Sequence, residues 1–141
     1  MDTSPTATTV AVDPRHVSYA HLMYALHAAA IVIGILTAAS IVGAFLFSLP
    51  SIIAVIMNYV RRADVRGTWL ESHFRWQLRT FWTALAALVV ATLVFGPFAL
   101  ILIGIPFLLL SYFLTGLWVA YRIVRGWLGL KEGRTMPNTY F

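Results

Sequence analysis

RRADVRGTWLESHFRWQLR, residues 61–79, separates two stretches without a single Asp, Glu, Lys or Arg, residues 16–60 and 80–121. It holds five of the ten basic side chains of the chain: Arg61, Arg62, Arg66, Arg75 and Arg79. A helix that crosses a bilayer needs about 20 predominantly apolar residues. Uncharged runs of 45 and 42 residues are each too long for one crossing and suited to two. The expected fold class is an all-α integral membrane protein, with four transmembrane helices as two hairpins joined by a cytosolic amphipathic interfacial helix. Every spanning element should be helical, because lipid offers the backbone no hydrogen-bond partner.

Composition supports the same reading. At 141 residues the chain is one domain, 60% hydrophobic and 11% charged, where soluble chains average about 25% charged. The formal net charge of +5 does not read as nucleic-acid binding, because the arginines flank hydrophobic runs. It reads as positive-inside topology and contact with anionic lipid headgroups. With no cysteine, disulfides, thiolate metal sites and thiol catalysis are excluded. Residues 1–17 read as a disordered N-terminal tail. They lack the basic opening and following apolar run of a secretion signal.

Outward from the central stretch, small residues from Thr37 to Gly43 break the first run. Helices are expected over about 18–39 and 44–60, with Pro50 inside the second or capping its first turns. A competing reading ends the first helix at Phe47 and leaves residues 51–60 as a partial insertion. In the second run, Gly96-Pro97 and Gly104-x-Pro106 predict helices over about 80–95 and 106–125, since proline is tolerated best in a first helical turn. The four helices form a membrane domain over 18–130, followed by a tail over 131–141.

The central stretch carries a helix, expected over about 68–79, that lies along the headgroups and runs into the helix that follows. Thr68 and Glu71 have the spacing of a reciprocal capping box. Leu70, Phe74, Leu78 and Phe81 recur at helical spacing, with Trp69, Trp76 and Trp82 at the boundary. Basic residues in this stretch and in the tail, Arg122, Arg125, Lys131 and Arg134, place both on the cytoplasmic side of a bacterial inner membrane. Two crossings on each side of the stretch then put both termini there; a partial second helix moves the N-terminus outside.

Few residues invite chemistry. His21 and His27 are six apart, which turns their rings about 120° from one another on a helix and disfavours a shared metal or haem. Interhelical hydrogen bonding is the expected role of His27, with His73 one conceivable partner. Glu71 and Arg75 have the spacing of an ion pair. The candidate interaction surface comprises Asn58, Tyr59, Glu71, His73, Arg75, Gln77 and Arg79. Ala30, Gly34 and Ala38 form a small-residue stripe for close helix packing, with Ala84, Ala87 and Ala91 a looser equivalent. No nucleotide-binding loop, metalloprotease motif or activated serine is legible. No catalytic residue and no cofactor is expected.

The run from Ile56 to Trp82, together with Ile103-Gly104-Ile105-Pro106 and the stretch from Tyr121 to Leu128, closely resembles small proteobacterial multipass membrane proteins of unknown function. More remotely, these are similar to the Tic-translocon family, the four-helix component of the chloroplast inner-envelope import machinery. The resemblance covers roughly Ser18 to Pro137. It implies a role within a membrane complex and brings no catalytic residue with it. The leading expectation is a non-enzymatic accessory, scaffold or assembly subunit, with a membrane-protein partner or a second copy of itself. The alternative is a transport or protein-translocation component with a pathway between chains.

Overall fold

The computed structural model describes residues 11–37 and 41–140, with side chains described outside 34–47. Four helices follow one another: α1 (Pro14–Thr37), α2 (Ile41–Arg61), α3 (Leu70–Ala99) and α4 (Gly104–Lys131). The described residues contain no strand. Helix α1 packs chiefly on α2 and α3 chiefly on α4, with α1 also touching α4. Among the described residues, three helices are long and apolar enough to cross a membrane: Pro14–Ile33 of α1, all of α3 and all of α4. Helix α2 adds the shorter apolar stretch Ser48–Arg61.

Helix α1 starts four residues earlier than residue 18. Asp13 caps it, its Oδ1 accepting the Arg15 amide at 2.8 Å, and Pro14 takes the first helical position, where its missing N–H costs nothing. The break expected near residues 37–43 includes positions 38–40, which lie outside the described residues. Helix α2 contains Pro50 and begins at Ile41, rather than at residue 51 as the partial-insertion reading required.

The helix expected over 68–79 does run into the next: it is the opening of α3, which is unbroken for 30 residues. Its capping differs from the box in the sequence. Glu71 does reach back, but Oε2 takes the Gly67 amide at 2.8 Å. Thr68 donates its hydroxyl to the Val65 carbonyl at 2.6 Å instead of accepting from the helix. Gly67 sits at φ +78°, a conformation that suits glycine alone among common residues.

At its other end α3 continues through Gly96 and Pro97 to Ala99, and α4 begins at Gly104, so the turn is only Leu100–Ile103. A Cβ at Gly104 would overlap the carbonyl oxygen of Phe95 and the amide of Ala99. This glycine permits the reversal. Leu102 absorbs the remaining strain at φ +64°. Pro106 lies in the first turn of α4, as its chemistry favours.

At 30 and 28 residues, α3 and α4 are about 45 and 42 Å long, longer than the roughly 30 Å hydrocarbon core. The α3 start and the α4 end lie together. The buried cluster is there too, formed by Ala20, Met23, Tyr24, Ala54, Val65, Leu70, Phe74, Trp76, Ile123 and Leu130. Away from it, Leu93, Ile101, Leu109 and Phe113 point outward, the reverse of a water-soluble core. Across the exposed part of the α3–α4 pair, Thr92 and Tyr112 share a hydroxyl hydrogen bond of 2.6 Å, and Phe95 stacks on Phe107.

Helix α4 ends in a Schellman turn. The Arg134 amide bonds the Gly129 carbonyl and the Gly133 amide bonds that of Leu130, at 2.9 and 3.2 Å, with Gly133 at φ +64°. The following residues, the tail of the sequence reading, fold back along α3.

Candidate functional site

The polar side chains of the buried end form a latch. His73 Nε2 lies 2.6 Å from the Arg134 carbonyl. A carbonyl only accepts, so Nε2 carries the proton and Nδ1 of the neutral ring accepts the Tyr24 hydroxyl at 3.0 Å. One imidazole thus ties α1, α3 and the folded-back segment together. Trp69 and Tyr24 hold its ring edge-on. The Met136 amide donates to Ser72 Oγ at 2.8 Å, and Arg79 donates to Asn138 Oδ1.

Arg122 is fully buried. Its Nε donates to Thr80 Oγ1 at 2.7 Å and Nη1 to the Thr139 carbonyl at 3.1 Å. The guanidinium carbon lies 3.6 Å from the Trp76 ring centroid and 5.0 Å from that of Trp118. Trp76 in turn donates its indole N–H to the Arg122 carbonyl at 2.9 Å. Among the described residues no carboxylate pairs with this cation, and Nη2 has no partner. Aromatic faces and neutral acceptors hold the charge, a use for which the weakly hydrated, planar guanidinium is suited.

Further polar contacts join the helices. His27 Nδ1 pairs with Ser51 Oγ at 3.2 Å, not with His73. Tyr19 donates to the Met57 carbonyl, Trp127 to His21 Nδ1 and Asn58 to the Phe74 carbonyl. Gly126 makes the Tyr24 contact possible, since a Cβ there would lie 2.7 Å from Tyr24 Cε1. No group of three His, Asp or Glu among the described residues is arranged to hold a metal ion.

The seven residues of the expected interaction surface divide in two. Asn58, His73 and Gln77 are buried, because two- and six-residue steps from Glu71 lead to the inner face of α3 and Asn58 reaches inward to its backbone. The Gln77 amide lies beside Tyr24 but outside hydrogen-bonding geometry. Tyr59, Glu71, Arg75 and Arg79 do converge. They line a groove of about 480 Å³ with Arg62, Arg66, Phe74, Leu78, Trp82, Thr83 and Tyr140. Glu71 faces the Gly67 amide and forms no ion pair with Arg75. The groove therefore presents four guanidiniums against one carboxylate already engaged. Arg62 lies over Tyr59 and Arg79 over Tyr140, at 5.8 and 4.8 Å from the ring centroids.

Sequence reasoning missed Arg62 and Arg66 as groove residues, Arg122 as a buried cation and Tyr140 altogether. The arginines were legible as charge, but their convergence depends on the turn at residues 62–69 and on the folded-back segment. Of the small-residue stripe, Ala30 is buried, the surroundings of Gly34 are not described, and Ala38 lies outside the described residues. In the looser stripe Ala91 alone is buried, with Ala87 exposed. No family model, curated protein or solved structure matches this chain.

Proposed function

We propose that the chain is a non-enzymatic multipass protein of a bacterial inner membrane, acting as an accessory, scaffold or assembly subunit of a membrane complex. One observation supports this reading above others. Buried Tyr24, His27, Asn58, His73 and Arg122 are engaged in bonds between helices or to the returning segment, while the exposed polar resource is an open groove of arginines without a carboxylate partner and of aromatic rings. Such a surface associates; it offers no acid–base pair and no activated nucleophile. In this reading α1 with α2 and α3 with α4 are two membrane hairpins, and residues 61–79 and 131–141 face the cytoplasm, as the concentration of Arg and Lys in both favours. The likeness of residues 56–82 to small bacterial membrane proteins belongs to the same proposal, since it carries no catalytic residue to any position.

The test is co-purification from native membranes in a mild detergent, with the mass of the intact assembly determined. A stoichiometric partner or a fixed number of copies is expected. Recovery of a bare single chain at full yield overturns the reading.

A further inference from the structure

We propose that the arginine groove is a binding site for the headgroup of an anionic glycerophospholipid, with the phosphate among Arg62, Arg66, Arg75 and Arg79 and the lipid body against Trp82. The proposal rests on the placement of residues 61–79 at a membrane face. Three observations carry it. Four guanidiniums without a carboxylate in ion-pair contact line one depression, and a phosphate is the group their planar forks match best. The one acid in the groove, its oxygen turned to the Gly67 amide, is outnumbered by four arginines, so the cavity keeps a net positive field.

The third observation decides between a soluble phosphate and a lipid. The groove wall continues from Phe74 and Leu78 to the exposed Trp82, and beyond Trp82 the outer face of α3 is the exposed apolar run that includes Leu85, Val89 and Leu93. An anion with two acyl chains satisfies both ends of that surface; a free phosphate leaves the apolar end bare. The Trp82 indole N–H bonds the Tyr59 hydroxyl at 3.0 Å, which holds the ring at the junction.

Native mass spectrometry of the full chain in mild detergent, with equimolar dioleoyl phosphatidylglycerol and dioleoyl phosphatidylcholine, reads headgroup selectivity. One phosphatidylglycerol per chain is expected to be retained in preference. Arg75→Gln and Arg66→Gln should each weaken retention about fivefold, the equivalent of one basic residue near an anionic surface. Arg125→Gln, outside the groove, should leave it unchanged, and circular dichroism verifies that each variant is folded.

Equal retention of the two lipids, or equal loss in Arg125→Gln, overturns the site. Displacement of the lipid by millimolar inorganic phosphate overturns its lipid character. Placement is tested apart from selectivity by quenching of Trp82 fluorescence, taken as the difference from Trp82→Phe, in vesicles of chain-brominated phosphatidylcholine. Quenching without phosphatidylglycerol preference refutes the headgroup site alone; absence of quenching refutes the membrane placement beneath it.

Discussion

Arg122 carries its charge into the interior with a hydroxyl, a carbonyl and two indole faces in place of a carboxylate. A lysine keeps the charge but has neither the planar face nor the fork, so Arg122→Lys is expected to lower stability. The loss should be about 1.5–3 kcal/mol, the range for hydrogen bonds to charged groups, read as a lower unfolding temperature in detergent. Gly126 is the other decisive position. Gly126→Ala forces its new methyl against the Tyr24 ring, and overpacking of this kind costs about 1–3 kcal/mol. Its signature is loss of the Tyr24 to His73 hydrogen bond, visible as a shift of the His73 imidazole resonances. Neither role was legible in the sequence. Arg122 reads there as a topogenic charge at a helix end, and Gly126 as one small residue among many. The meaning of Arg122 comes from α3 and the returning segment, and that of Gly126 from α1 crossing α4, long-range contacts that periodicity does not encode.

Among the elements, α3 shows where local reading succeeds and where it fails. The spacing of Leu70, Phe74, Leu78 and Phe81 reads as the apolar face of an interfacial helix; Leu70 and Phe74 are instead buried within the protein, and Leu78 and Phe81 are half-buried. Gly96-Pro97 pointed to an end that the helix passes by, because a proline that close to the terminus removes one hydrogen bond and finds a turn only a few residues on. The inward face should matter more than the polar start. Phe74→Ala is expected to cost about 3–5 kcal/mol as a buried aromatic, and Glu71→Ala about 1 kcal/mol for one hydrogen bond at an exposed turn. Folded yield by size-exclusion chromatography checks the order. The turn between α3 and α4 offers a gain instead. Leu102 is held in the left-handed region at about 1–2 kcal/mol, so Leu102→Gly should raise the unfolding temperature despite removing an exposed side chain.

At the scale of the molecule, the charge-free runs made the helical, membrane-directed class legible, because bilayer thickness alone sets such lengths. The groove was legible only by half. Tyr59, Arg75 and Arg79 stood out as exposed polar residues near a helix, but residues 132–140 had no periodicity to announce that they return to α3. Topology is tested directly in this cysteine-free chain. Pro5→Cys and Thr135→Cys should react with an impermeant thiol reagent from the same side of the membrane. Labelling from opposite sides establishes an odd number of crossings and removes α2 as a full span.

The latch also imposes an order in time. His73 and Arg122 are made well before the carbonyls of Arg134 and Thr139 that complete their shells. A ribosome that has reached residue 131 has therefore produced α1 to α4 but has left a buried-site imidazole and a guanidinium without two of their acceptors. Those groups attract water until residues 134–139 follow and fold back.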